Sequence, residues 1–263
     1  MSISRHNIRL LWRTIIEFGM LKPYDRVLVG LSGGKDSSFL IYALSELRKN
    51  APFSFDAAAV HVDLGFEESF DAGPLEEYCE RLQVPFYLKH TRISHAAFSH
   101  KRQNPCAQCA FLRRGVMNRL AVEQGFNKVA LAHHLDDAVE TFLMSLLYSG
   151  QLKTFQPCSY LARTDLTVIR PLIYFREKEI QNACMKIEYK PVDTPCPMAG
   201  KTMRAMVKKL VRQLVDENRY IFHNLTVAMR EGVEITQWPS AMSKESLRHK
   251  VFDFWSGNWQ ELQ

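Results

Sequence analysis

Hydrophobic positions along this chain recur with two different periods, and the way these periods alternate predicts the fold class. Ile8, Leu11, Ile15 and Phe18 fall at helical spacing and predict an amphipathic helix over Asn7–Phe18. Pro23-Tyr24-Asp25 marks a turn, and Arg26–Leu31 then reads as a short buried strand. A helix over Ser37–Leu47 follows a Gly-Gly turn, and Phe55–Val62 is a second strand ending at Asp63-Leu64-Gly65. Leu75–Leu82 is helical, Pro85–Leu88 a third strand, and Phe111–Gln124 a further helix. Lys128–Ala132 makes a fourth strand leading into a helix that reaches Tyr148, and Val168–Leu172 makes a fifth. Strands alternating with helices predict an α/β fold, a parallel sheet flanked by helices. After Glu177 the pattern turns mainly helical, and the tail carries Trp238, Trp255 and Trp259. The expected organisation is an N-terminal helix within 1–24 and an α/β domain over 25–180. An inserted cysteine-pair region lies near 100–119, and a helical segment occupies 181–263.

Composition narrows the class. Of 263 residues, 46% are hydrophobic and 24% charged, with a mean hydropathy of −0.20, as in an ordinary globular protein with a proper core. Met1–Met20 carries Arg5, Arg9 and Arg13 among its apolar residues and lacks the core of a signal peptide. No charge-free apolar run approaches the roughly 18 residues of a spanning helix. A cytoplasmic protein with no membrane partner is expected.

Charge adds a partner class. The formal net charge is +6 and the isoelectric point about 9.0, which suggests a polyanion. From Arg81 to Val122 there is no Asp or Glu, while Arg113 and Arg114 stand among eight Lys and Arg residues. Lys201, Arg204, Lys208 and Arg212 recur at three or four residues as one basic helical face, with Met203, Val207, Leu210 and Leu214 as the opposing apolar stripe. Either run alone fits a solvated face; together they favour RNA binding.

The chemistry begins at Ser32-Gly33-Gly34-Lys35-Asp36-Ser37, which follows a strand and opens a helix. Two glycines let the backbone turn tightly and aim N–H groups at an anion, with the positive helix end behind them. Lys35 is placed to meet phosphate charge, and the serines add hydroxyls. The loop is not GxxxxGK[ST]. Asp36 suits Mg²⁺ between carboxylate and phosphate, or a proton-transfer step; its bland alternative is a favourable charge in the first helical turn. Of six cysteines, only Cys106 and Cys109 stand at ligand spacing. Such a pair is half a zinc site, a redox pair or part of an iron–sulfur cluster. Arg113 and Arg114, one turn on, can bring positive charge to a reacting phosphate or to RNA.

In that order, Ser32–Ser37, Cys106-x-x-Cys109 with Arg113-Arg114-Gly115, Ala132-His133-His134-Leu135-Asp136-Asp137 and Ile169-Arg170-Pro171-Leu172 closely resemble the tRNA 2-thiocytidine synthetases. These are pyrophosphate-loop (PP-loop) ATPases of the adenine nucleotide alpha hydrolase-like fold, which cleave ATP between its α and β phosphates. The related tRNA 2-thiouridine synthetases are somewhat less similar. The resemblance covers roughly Arg5 to Leu214.

It implies a [4Fe–4S] cluster held by three cysteines, with Cys106 and Cys109 as the first two ligands and Cys196, in Thr194-Pro195-Cys196-Pro197, as the third. Relatives often carry another Cys close after the third, where this chain has Met198-Ala199-Gly200. It also implies that His133, Asp136 and Asp137 line the ATP site, with Asp136 and Asp137 as candidates for Mg²⁺ and for the transfer step. Asp36, Asp137 and Arg113 are the candidate catalytic residues; Arg114, Lys201, Arg204, Lys208 and Arg212 are the candidate tRNA contacts.

The expected activity is ATP-dependent thiolation of a tRNA pyrimidine at C2, cytidine before uridine. The sulfur donor is a cysteine desulfurase or free sulfide, and a homodimer is compatible with the sequence. Rival readings are a PP-loop ligase using an amine nucleophile and a non-enzymatic, metal-stabilised RNA-binding module. Asp36 and Asp137 argue against the second.

Overall fold

The computed structural model describes residues 3–66, 70–98, 105–187, 189, 191–192, 196–198, 200, 202–230, 232 and 241–256. They fall into two units, Met1–Met229 and Arg230–Gln263.

The first unit is built on a six-stranded sheet. Its strands are β1 (Arg26–Gly30), β2 (Asp56–Asp63), β3 (Phe86–His90), β4 (Lys128–Ala130), β5 (Cys158–Leu161) and β6 (Leu166–Ile169). The order is β3-β2-β1-β4-β6-β5; every pairing is parallel except that of β5 with β6. Side chains alternate across the sheet with the strand period of two. Val27, Val29, Ala59 and Ala130 enter one apolar layer, while Leu28, Ala58, Val60 and Val129 enter the other. Both layers are covered by helices, so these strands read as continuous apolar runs.

On the first face lie α1 (Arg5–Glu17), α2 (Lys35–Asn50), α3 (Gly73–Arg81) and α7 (Glu177–Lys186), contributing Leu11, Phe39, Leu75 and Ile180 to the core. On the second face lie α4 (Ile93–Phe98) and α5 (Pro105–Glu123), through Ile93, Met117 and Leu120. A third cluster joins α6 (Leu135–Ser149), α8 (Met203–Glu217) and α9 (Ile221–Ala228) through Val139, Leu143, Val207, Val211 and Phe222. The second unit contains α10 (Lys244–Trp255), capped by Ser243.

Three elements differ from the sequence expectation. The cysteine pair lies not ahead of a helix but within its first two turns, because α5 starts at Pro105, and proline is favoured at the first helical position. The last parallel strand ends at Ile169, and an antiparallel edge strand, β5, precedes it. On α8 the basic and apolar rows are neighbours rather than opposites: Val207 and Val211 are buried, while Met203 and Leu210 are 42% and 37% exposed. The inward side therefore includes Arg204 and Lys208.

Candidate active site

The chain leaves β1 for β2 on one side and returns to β4 on the other. Such a reversal opens a crevice beyond the carboxyl ends of the two strands, where open α/β sheets bind ligands. Residues 31–34 leave β1 there, and residues 131–134 leave β4 beside them. A cavity of about 430 Å³ occupies the crevice, within the range of small-molecule sites.

The loop after β1 is held from several sides. Leu31 N–H donates to Val60 O at 2.8 Å. Ser37 Oγ accepts from Ser32 N–H at 3.0 Å and donates to Gly34 O at 3.0 Å. Gly33 has φ +85°, and a Cβ there would stand 3.1 Å from Val192 O. Its own carbonyl accepts from Val192 N at 3.0 Å and Tyr189 Oη at 2.8 Å. No side chain caps α2, which starts behind Gly34, so its first N–H groups are left for an anion.

Asp36 lines the cavity. Its Oδ2 accepts from Lys35 Nζ at 3.2 Å, while Oδ1 is buried with no hydrogen-bond partner. Oδ1 lies 3.9 Å from His134 Nε2, and a carboxylate beside a phosphate loop suits a hard cation such as Mg²⁺. Lys35 is turned towards Asp36 and towards Glu177, 3.0 Å away on α7. Glu177 also pairs with Lys208 of α8 at 2.6 Å. Burial alone would raise the Glu177 carboxyl, but hydrogen bonds from Lys208 and Lys35 hold it down to about 2.

Beyond β4, His134 caps α6. Its Nδ1 accepts from Asp137 N–H at 3.3 Å, and Asp137 Oδ2 accepts from His134 N–H at 3.0 Å. Asp137 Oδ1 lies 3.3 Å from Arg204, which also reaches Glu140. Asp136 takes Arg176 through both oxygens and accepts from Glu177 N–H at 2.8 Å. Both aspartates thus hold the surrounding helices, and Asp36 is the acid at the cavity wall. His133 does line it. Burial pushes its imidazole down to about 4, with Asp137 opposing and Arg170, Arg204 and Arg113 reinforcing. The ring is therefore neutral near pH 7, and its buried Nδ1 has no partner.

Cys106, Cys109 and Cys196 line this same cavity, as does Arg113. Burial raises the Cys106 thiol, with the Cys196 charge adding to it. Burial also raises Cys109; Arg113 opposes, and Cys196 and Cys106 add. The three thiols thus lie close enough to repel one another once ionised, which a metal centre relieves. Among the described residues no three His, Cys, Asp or Glu side chains converge on a single ion. A cluster binds each thiolate through a different iron and needs no such convergence. The other thiols lie elsewhere: Cys79 and Cys184 are buried in the α2 face of the core, and Cys158 is on β5.

Of the proposed tRNA contacts, Arg114 and Arg212 are exposed, whereas Arg204 and Lys208 are turned towards carboxylates. Lys201 lies outside the described residues. The sequence reading missed Glu177 and His61. His61 Nδ1 sits 2.8 Å from Leu31 O, and a carbonyl only accepts, so this nitrogen carries the proton. Burial lowers the ring's pKa, which leaves a neutral imidazole in the cavity lining. Its position at the end of β2, where the strand meets the crevice, was the available signal.

The model of the PP-loop domain family matches residues 7–214. The chain belongs to that family. It is 35% identical over 223 residues to the tRNA-cytidine(32) 2-sulfurtransferase of Geobacter sulfurreducens, covering 82% of this chain and 86% of that one. The protein of the same name from Anaeromyxobacter dehalogenans is 34% identical over 256 residues, covering 95% and 86%. Among solved structures, the U34-tRNA thiolase NcsA from Methanococcus maripaludis with its [4Fe-4S] cluster superposes with a TM-score of 0.70 at 23% identity, over 88% of this chain and 79% of that one. The shared fold places the PP-loop of this chain at the mouth of the sheet's reversal.

Proposed function

We propose that this PP-loop protein is an ATP-dependent tRNA sulfurtransferase that converts a pyrimidine, cytidine by preference, into its 2-thio form. One observation carries the reading: a nucleotide loop and three thiols open into a single cavity. The names of the curated relatives support the tRNA substrate and the cytidine preference.

The free N–H groups of α2 and the Ser32 loop bind the ATP phosphates, and the Asp36 carboxylate would hold Mg²⁺, which would neutralise phosphate charge. The base's C2 oxygen attacks the α-phosphorus, and pyrophosphate leaves. Hydrosulfide then adds at C2, and AMP departs with the original oxygen. Oxygen at C2 leaves poorly until it carries a phosphoryl group, so adenylation lowers the barrier of the second step. Arg113 in the cavity offers charge to the phosphate as negative charge builds. Asp137 and Asp136 act by fixing the helix starts that carry His133, His134 and Glu177.

Cys106, Cys109 and Cys196 fit a [4Fe–4S] cluster, being three thiols beside the nucleotide loop with no fourth Cys among the cavity's residues. When bound, such a cluster supplies an iron free of protein ligands, suited to holding inorganic sulfur. That sulfur reaches the site from a cysteine desulfurase or as free sulfide.

Purified protein with its iron retained, bulk tRNA, ATP and sulfide should release pyrophosphate and yield 2-thiocytidine on nucleoside mass spectrometry. Asp36→Ala should remove both products without unfolding the chain. Pyrophosphate release that needs an amine and no iron would instead mark an amine-using ligase.

A further inference from the structure

Helix α5 has two sides of different character. Cys106, Cys109, Arg113 and Met117 line the cavity, and Leu120 and Ala121 are buried in the core beneath. At about 3.6 residues per turn, the opposite side carries Phe111 and Val122, with Arg114 on one flank and Gly115 and Arg119 on the other. Phe111 is 64% exposed, and Arg114, Gly115 and Arg119 are exposed as well. A lone exposed apolar residue is ordinary, but two further observations set this face apart. The chain has no Asp or Glu from Arg81 to Val122, and among the described residues no carboxylate forms an ion pair with Arg114 or Arg119. Gly115 stands in the middle of the helix, where glycine costs stability relative to alanine. Yet a Cβ there would meet nothing within 4 Å, so packing within the described chain does not call for a glycine.

We propose that this outer face of α5 binds an unpaired nucleotide of the tRNA beside the target, its base stacked on Phe111 and its flanking phosphates at Arg114 and Arg119. The proposal rests on the tRNA reading above and adds a stacking platform and a backbone track to it. Single strands are held by this combination: the face of a base stacks on an aromatic ring, and cations to either side meet the backbone. A paired base keeps its faces covered within its own stack, so the occupant is a loop and not a helical stem. Bare backbone at Gly115, one turn beyond Phe111, lets a ribose or phosphate approach the helix more closely than a side chain would allow. The face is also continuous with the site. Phe111 lies within one turn of Cys109 and Arg113, which line the cavity, so a strand that inserts one base there carries its neighbour across α5. Charge selects the class of partner: the face offers two cations and no acid, which suits a polyanion.

The test is equilibrium binding of bulk tRNA and of ATP to the holoprotein over a range of salt, with thermal unfolding alongside. Phe111→Ala and Phe111→Leu should each weaken tRNA binding about tenfold and leave the salt slope as it is, whereas Phe111→Trp should bind like wild type. Arg114→Gln and Arg119→Gln should each flatten the slope by about 0.7–0.9. Gly115→Ala separates function from folding, because its two readouts move in opposite directions: the melting temperature should rise while tRNA affinity falls a few-fold. ATP affinity and retained iron should stay unchanged in all of these. Wild-type tRNA affinity in Phe111→Ala, a Leu variant as good as wild type, or a Gly115→Ala protein that melts higher and binds tRNA undiminished would each overturn the proposal. So would variants that bind tRNA normally but no longer take sulfur from a protein donor, since the face would then serve a protein. If tRNA binds through this face but is never thiolated, the sulfurtransferase reading fails and the RNA face stands. If thiolation proceeds normally while every variant binds tRNA like wild type, the RNA face fails alone.

Discussion

Glu177→Gln isolates the charge that ties the nucleotide loop to the helical segment. Glu177 accepts from Lys35 of the loop at 3.0 Å and from Lys208 of α8 at 2.6–2.7 Å, with its side chain 23% exposed. Its carboxyl is held from 4.5 down to about 2. Each unit is worth about 1.4 kcal/mol, so ionised Glu177 contributes on the order of 3 kcal/mol of stability at neutral pH. Because the folded value is the depressed one, the contribution is complete above the unfolded value of 4.5 and fades as pH falls towards 2. Near pH 3 roughly half remains. Gln keeps the shape and some hydrogen bonding but no charge. Urea unfolding should therefore find it about 2–3 kcal/mol less stable near pH 7, with the gap closing steadily below about pH 4.5. A gap under about 0.5 kcal/mol at neutral pH, or one that does not change with pH, would refute the idea that this carboxylate is a structural counter-ion.

Three further outcomes follow from the same geometry. Gly33→Ala places a Cβ 3.1 Å from Val192 O at φ +85°; it should cost about 1–3 kcal/mol in unfolding experiments and weaken ATP binding, and wild-type values for both would show that the loop tolerates side chains there. Ala at Cys106, Cys109 or Cys196 should each abolish retained iron, measured by metal analysis and absorbance, whereas Cys158→Ala should keep it; the reverse pattern sinks the ligand set. Asp25→Ala strands Lys128, its buried partner 3.5 Å away, and should destabilise the chain by about 3–5 kcal/mol in urea unfolding, a loss that would be near zero if the pair is not coupled.

The sheet was legible because its strands are buried on both faces. Val27-Leu28-Val29 and Ala57-Ala58-Ala59-Val60 leave no polar position to blur the pattern, and the Gly-rich loop marks where β1 ends. The strand β5 was not legible. It is an edge strand with half-exposed Cys158, Ser159 and Leu161, and Tyr160 is 64% exposed, so its apolar signal is weak. The hairpin turn that announces it depends on Asp165 at φ +53°, a position where Asp is tolerated but not required. The cysteine pair was recognisable as a ligand pair, yet its helical setting was hidden because Cys106 and Cys109 break the apolar period of α5. On α8 both rows recur at three or four residues, so spacing alone cannot say which one faces in. The carboxylates of Asp137, Glu140 and Glu177, distant in sequence, draw Arg204 and Lys208 inward.

That pairing explains how a chain of net charge +6 can be rigid at its nucleotide loop and receptive beside it. On the α6–α7–α8 side four cations nearest the nucleotide loop have counter-ions: Lys35 and Lys208 share Glu177, Arg176 has Asp136, and Arg204 has Asp137 and Glu140. Glu140 is buried, and burial followed by the Asp137 charge raises its carboxyl, with Arg204 opposing. This half is preorganised, with carboxylates that are mostly buried, 5–23% exposed, holding cations in place. The acid-free stretch that supplies α5 leaves Arg113 and Arg114 without a carboxylate ion pair among the described residues. Their uncompensated charge is a cost in the free protein that a polyanion removes on binding, and it is exposed to screening. Raising salt from about 50 to 200 mM should therefore weaken tRNA binding by orders of magnitude while ATP affinity, built on backbone N–H groups and a partly buried Asp36, changes far less. Parallel losses for both ligands would mean that the two halves are not electrically distinct and that the basic surface serves the nucleotide as well.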